Sequence, residues 1–166
     1  MTHVPRANAE RGAGGGSPSH SVTGFNTRMP DDRFEVRPIA TVQSPLSDLA
    51  AAPKQADEGA PQAWLVFSPE VLDALDGLRV NDKVIVLTWL HRSERDVLRV
   101  HPRGDVANPI QGVFSTRSPA RPNPIGLHEV EILAIEGGRV QVSALEAVDG
   151  TPVLDVKPVL RPVDAR

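Results

Sequence analysis

The sequence predicts a mainly antiparallel β fold, barrel or sandwich, and three observations carry that prediction. Short β-branched runs alternate in hydrophobicity at period two, the signature of strands with one face toward a core. Only one segment has helical periodicity. Sixteen prolines and 13 glycines punctuate the chain outside any strand–helix–strand rhythm, which argues against a parallel, doubly wound sheet.

Residues 1–33 carry Gly14, Gly15 and Gly16 in a row, scattered prolines and no apolar period. They are expected to be a disordered tail, followed by one folded domain over residues 34–166. A basic nucleic-acid arm is the functional alternative for the tail, but Glu10, Asp31 and Asp32 nearly balance Arg6, Arg11, Arg28 and Arg33. From Phe34 onward the texture changes. Val36 to Val42 is expected as a first strand interrupted by Pro38, and Trp64 to Phe67 as a second. Pro69 to Leu78 reads as a short helix, with Val71, Leu72, Leu75 and Leu78 on one face, Pro69 at its start and Gly77 near its stop. Lys83 to Leu90 (KVIVLTWL) is the strongest strand signal, and branched residues on both of its faces predict burial on both sides. Val130 and Ile132 alternate with Glu129 and Glu131, and Val140, Val142 and Ala144 alternate with Arg139, Gln141 and Ser143. With Gly137-Gly138 between them, these two runs predict a β-hairpin.

Composition sets the outer bounds. With 166 residues, 40% of them hydrophobic and 23% charged, the chain suits one globular domain. It has no cysteine, so disulfides, thiolate nucleophiles, Cys-bound zinc and iron–sulfur clusters are all excluded. No apolar run reaches membrane-spanning length and no signal-peptide core follows the N-terminus, so a cytoplasmic protein is expected. The net charge of -3 argues against a wholesale nucleic-acid coat, yet it hides a local asymmetry. Between His91 and Arg121 six arginines (Arg92, Arg95, Arg99, Arg103, Arg117, Arg121) stand against Glu94, Asp96 and Asp105. That stretch is either a phosphate-facing patch or an ordinary solvated surface.

The common catalytic signatures are missing. No G-x-G-x-x-G follows a strand, and there is no P-loop, H-E-x-x-H or G-x-S-x-G. His91, His101 and His128 lack metal-ligand spacing with carboxylates, so no metal site is expected.

Two segments stand out. In Gly112 to Leu127 (GVFSTRSPARPNPIGL), Pro119, Pro122 and Pro124 restrain Ser118, Arg121 and Asn123 on a stiffened backbone. A rigid loop bearing Arg117, Arg121 and Asn123 suits an anionic or heteroaromatic ligand, since ordering entropy is already spent before binding. It is equally readable as a surface loop stiffened for stability. In Asp149 to Pro158 (DGTPVLDVKP), Asp149-Gly150 marks a turn, and Asp155 and Lys157 project from one face of a strand at period two. They form either a plain surface pair or a carboxylate beside a substrate, kept ionised by Lys157.

Together these residues resemble the TsaA-like family, also called TrmO, of S-adenosylmethionine-dependent tRNA methyltransferases. The resemblance runs from about Pro38 to Leu160. It is carried by T-R-S-P-x-R-P-N-P-I-G at Thr116 to Gly126, by D-G-T-P-V-L-D-V-K-P at Asp149 to Pro158, and by Trp89-Leu90-His91 at the end of the strong strand. It implies a small β-barrel that dimerises and binds the methyl donor without a Rossmann sheet. Family members methylate the exocyclic amino nitrogen of threonylcarbamoyl-modified adenosine just 3′ of the tRNA anticodon. By the same resemblance His91, Arg92, Arg117, Leu127, Ser143, Ala144, Leu145 and Glu146 line the donor pocket, with Lys54 to Glu58 as a further wall. Arg121, Asn123 and Asp149 support the pocket or face the substrate, and Asp155, His91 and Lys157 are the catalytic candidates. The sequence departs from the family pattern at Pro53 to Glu58, where P-R-Q-P-G-L is usual, at Glu146 in place of aspartate, and at Val159 in place of tyrosine. The chain also ends at Arg166, so the extra C-terminal domain of longer bacterial members is expected to be missing. Two other readings stay open: a non-catalytic barrel that binds the donor or RNA, and a methyltransferase for a small molecule.

Overall fold

A computed structural model describes residues 35–48, 53 and 59–160. The tail expected over residues 1–33 and the expected pocket wall over residues 54–58 lie outside the described residues.

The strands are β1 (Ala40–Gln43), β2 (Ala63–Phe67), β3 (Lys83–Trp89), β4 (Arg99–Val100), β5 (Gln111–Gly112), β6 (Ile125–Glu136), β7 (Arg139–Val142) and β8 (Pro152–Pro158). Six of them are bonded in the order β1-β2-β7-β6-β3-β8, every pair antiparallel. β8 pairs back onto β1, Ala40 opposite Val153, so the sheet closes into a barrel without a free edge. β4 and β5 form a separate two-stranded ribbon, within the long insertion between β3 and β6.

Alternation places the core. Val42, Leu65, Val84, Val86, Ile132, Val140, Val142 and Val153 point inward and are at most 2% exposed. Branched and small side chains suit the narrow interior of a six-stranded barrel. Register shifts between Leu87 and Thr88 in β3, and between Ile132 and Ala134 in β6, add the local coiling that closure requires.

Four expectations are corrected. The first strand spans Ala40–Gln43 rather than starting at Val36, because Pro38 lacks the N–H that a ladder needs. β3 is buried on one face only: Val84, Val86 and Thr88 are buried, while Ile85, Leu87 and Trp89 are half-buried on the outer face. A closed antiparallel sheet has one inner face, and among the described residues no layer of strands or helices covers the outer face of β3. The segment at Pro69 forms a 3-10 helix, Pro69–Leu75, not a helix reaching Leu78. Proline at its start and the left-handed Gly77 (φ 89) leave too little length to nucleate an α-helix. Finally, Ala144 does not continue the alternation of β7, which ends at Val142; Ala144 sits at φ 38, outside strand geometry. Among the described residues no helix is long and apolar enough to cross a membrane.

Candidate functional site

The barrel has two mouths. At one, β3 and β7 end and β6 and β8 begin, and both motif segments arrive there. The inward positions turn polar at this mouth. Thr88, the last inward residue of β3, is fully buried and stands opposite Gly126 in the ladder. Two residues along the same face of β6 is His128, 6% exposed. Its Nε2 lies 2.9 Å from Thr88 Oγ1, and its Nδ1 lies 2.9 Å from Glu146 Oε1. The imidazole lies over Gly126: a Cβ there would stand 2.4 Å from Thr88 Oγ1 and 2.5 Å from His128 Nε2. Glycine at 126 is therefore a packing requirement.

Glu146 arrives on the loop after β7. Ser143 makes a reciprocal pair with Glu131, its N–H donating to the carbonyl at 2.9 Å and its Oγ accepting from the Glu131 N–H at 3.0 Å. The left-handed Ala144 then turns the chain, and Leu145, fully buried, anchors it in the core, with its N–H donating to the Pro61 carbonyl at 2.9 Å. A strained residue between two anchors throws Glu146 across the mouth. Burial alone would raise the Glu146 pKa. Contact with His128, the His128 charge, a local backbone hydrogen bond and the Arg117 charge outweigh burial, and the carboxyl sits below its ordinary value. Neither Glu146 Oε2 nor His128 Nδ1 has a hydrogen-bond partner, although both atoms are buried. The approach of Nδ1 to Oε1 is thus an ion-pair contact without hydrogen-bond alignment.

The proline loop supplies the cation. Arg121 donates from Nε to the Ser118 carbonyl at 2.8 Å, and from one terminal nitrogen to the Thr116 carbonyl at 2.5 Å and the Val113 carbonyl at 3.2 Å. Its own N–H donates to the Glu94 carbonyl at 3.1 Å. The planar fork is spent on holding the loop. Arg117, inside the loop so held, is exposed and lowers the Glu146 pKa by its charge. Of the two arginines read together from the sequence, one fastens the loop and the other faces the mouth.

The remaining predicted residues divide. Arg92 donates to the Ser47 carbonyl at 3.2 Å, tying the turn after β3 to the segment after β1, and His91 is exposed in that turn. Asp149 accepts from the Ser44 N–H at 3.0 Å and donates its own N–H to the Leu46 carbonyl at 2.7 Å, so it secures the end of β1. Asn123 is exposed. Leu127 is 44% exposed and lies on the outer face of β6 opposite Leu87. Asp155 stands on the same outer face, also beside Leu87. Its Oδ2 pairs with Lys157 Nζ at 2.8 Å, both side chains largely exposed, and its Oδ1 accepts from the Val156 N–H at 2.9 Å. The structure pairs Asp155 with Lys157 and Arg92 with Ser47, and it lets the Arg117 charge act on Glu146; the Leu145 side chain is given to the core.

Sequence reasoning missed Thr88, Gly126 and His128. The signal was available in period two: His128 shares a strand face with Val130 and Ile132, so a strand long enough to include it makes its ring an inward polar group.

The family described as tRNA-methyltransferase O N-terminal domain matches residues 41–165. A probable S-adenosyl-L-methionine-binding protein of Methanothermobacter thermautotrophicus is 44% identical over 137 residues, covering 82% of this chain and 98% of that protein. An S-adenosyl-L-methionine-binding protein of Archaeoglobus fulgidus is 42% identical, covering 74% of this chain and 86% of that protein. The crystal structure of TrmO from Pseudomonas aeruginosa superposes with a TM-score of 0.63 at 32% identity, covering 81% of this chain. The chain spans 61% of the length of that structure.

Proposed function

Because the chain belongs to the tRNA-methyltransferase O N-terminal domain family, we propose that it is an S-adenosylmethionine-dependent methyltransferase. Its acceptor is the exocyclic amino nitrogen of threonylcarbamoyl-modified adenosine beside the tRNA anticodon. The single observation that supports this best is the buried Glu146 Oε2 without a partner, on the loop ahead of Asp149-Gly150, at the mouth of the barrel where the proline loop also arrives. The residues fit a zwitterionic nucleoside. Arg117 offers an exposed guanidinium to a carboxylate, and Glu146 Oε2 is a buried acceptor without a partner, ready for an N–H or O–H.

Bound there, S-adenosylmethionine supplies a methyl group already activated on a sulfonium. The protein's part is then alignment and exclusion of water. Arg117 and Glu146 orient the donor, while Arg121 and Asp149 keep the two loops in register. The carbamoyl group beside the acceptor nitrogen makes its proton easier to lose, so a modest base suffices. Asp155 or His91 takes that proton, and Lys157 holds Asp155 in place through their 2.8 Å pair. The arginines of the insertion face tRNA phosphates. The active form is a homodimer in the cytoplasm: the outer face at Ile125 and Leu127, 46% and 44% exposed, is apolar surface that a second copy covers.

Calorimetry with S-adenosylmethionine and mass spectrometry of tRNA incubated with the protein and donor test this directly. A new methyl on the modified adenosine is the expected result, and its absence in the presence of donor binding would reject the transfer step. The matched relatives favour one second reading, since their names describe binding of S-adenosyl-L-methionine and no transfer. A binding module would give the calorimetric signal alone.

A further inference from the structure

We propose that His128 is a positioning residue: seated over Gly126 and tied to Thr88, it steers the Glu146 carboxylate so that Oε2 meets an N–H or O–H group of the bound nucleoside. This deepens the donor-pocket reading above and rests on it for the identity of the ligand.

The argument starts from burial. A histidine 6% exposed inside a sheet of valines, isoleucines and leucines costs stability unless both ring nitrogens are answered. Nε2 is answered by the Thr88 hydroxyl at 2.9 Å. Nδ1 is 2.9 Å from Glu146 Oε1, yet it is unaligned, and Oε2 on the same carboxylate is buried and unpartnered. Two adjacent buried atoms on one contact that meet no hydrogen-bond partner among the described residues mark a place that a ligand completes. Hydrogen bonds at functional sites are commonly misaligned without ligand and tighten when it binds. A donor group arriving at Oε2 would turn the carboxylate, bringing Oε1 into line with a proton on Nδ1. Nε2 stays at the Thr88 hydroxyl, which fixes the orientation of the ring. The ring cannot reach the reacting atoms itself, because it is enclosed by Thr88, Gly126 and Glu146. Its effect passes through Glu146.

In S-adenosylmethionine three groups could meet Oε2: a ribose hydroxyl, the adenine amino group or the α-amino group. All are hydrogen-bond donors, and 5′-methylthioadenosine, which keeps the ribose and adenine and lacks the amino acid, separates the first two from the third.

The first test needs no ligand. Long-range 1H–15N spectra of the histidine rings in the full chain should show a proton on His128 Nδ1, with a shift that moves in Glu146→Gln. A bare Nδ1 overturns the proposal, whether or not the donor-pocket reading holds. The second test is calorimetry with S-adenosylmethionine and 5′-methylthioadenosine. Glu146→Gln should weaken binding about 10- to 100-fold, the range for losing a charge-assisted hydrogen bond. His128→Asn, whose amide nitrogen occupies the place of Nδ1, should stay within about threefold of the wild type, whereas His128→Gln should lose as much as Glu146→Gln. The double variant His128→Gln with Glu146→Gln should be no weaker than either single one. Equal losses in His128→Asn and His128→Gln, or additive losses in the double variant, would overturn the proposal. Loss of 5′-methylthioadenosine binding in Glu146→Gln assigns Oε2 to a donor of the nucleoside, a ribose hydroxyl or the adenine amino group, and loss confined to S-adenosylmethionine assigns it to the α-amino group. Should the wild type bind neither compound, the donor-pocket reading fails and the spectra alone decide the role of His128.

Discussion

The two mouths of the barrel are built from the same strands but closed by opposite chemistry. At the mouth where β2 and β6 end, the closure is apolar: Val71 and Leu75 of the 3-10 segment, and Leu78 just beyond it, pack against the core. The tight Gly137-Gly138 turn lies against that segment, with the Gly138 carbonyl accepting from the Phe67 N–H at 2.9 Å. At the other mouth a threonine, a histidine and a glutamate reach inward, and loops bonded to one another cross the opening. Apolar closure contributes stability in proportion to buried area. Polar closure gives up part of that area, a cost tolerated where groups must stay poised for a ligand. A groove of about 480 Å³ beside Asn81, Asp82 and Pro158 opens at the apolar mouth. It adjoins none of the predicted site residues.

Paired glycine substitutions would break this comparison most sharply. Gly126→Ala should destabilise by about 1–3 kcal/mol, the usual cost of overpacking, because its Cβ would sit within 2.5 Å of both Thr88 Oγ1 and His128 Nε2. Donor binding should fall with it. Gly138→Ala at the opposite mouth meets only Leu72 Cδ2 at 3.0 Å in that range, the end of a flexible side chain. Urea denaturation should show a change within about 0.5 kcal/mol, with donor affinity unaltered. Equal costs at the two glycines would remove the distinction between the mouths.

Next in size is Arg117→Ala. Its guanidinium is exposed and fastens nothing in the loop, so S-adenosylmethionine affinity should drop about tenfold while stability changes by less than about 0.5 kcal/mol. Arg121→Ala should reverse that pattern: three bonds to backbone carbonyls go, and thermal denaturation should register the loosened loop.

A smaller effect follows from the Glu146 carboxyl, held below its ordinary pKa by His128 and Arg117 against the burial that raises it. A depressed folded-state pKa contributes stability that is present above the ordinary glutamate value and is lost as pH falls through the lowered one. The stability gap between wild type and Glu146→Gln should therefore narrow in acid. A gap that widens as pH falls would show that the wrong group had been identified.

Smallest of all is the outer pair. Asp155→Asn should cost no more than about 1 kcal/mol, because Asp155 and Lys157 are largely exposed and well solvated. Unchanged turnover in a tRNA methylation assay would take Asp155 out of the mechanism and leave the inner mouth as the chemically active region.

Local pattern by itself determined a good deal of this protein. The branched run Lys83 to Leu90, period-two alternation in Val130–Ile132, and the two glycines between the last long strands were enough to read an antiparallel β fold, since each is a local steric or hydrophobic preference; that the branched run buries only one face was not legible there. The proline spacing likewise made the stiff loop at Thr116 to Pro124 legible. Strand order and closure were not local. Neither was the division between Arg117 and Arg121, which look alike in sequence and differ only in which carbonyls lie within reach. His128 and Glu146 are eighteen positions apart and carry no shared motif. Only folding a long strand inward and a left-handed loop across its end sets them 2.9 Å apart, because the partners of a buried polar group are chosen by the chain's path through space.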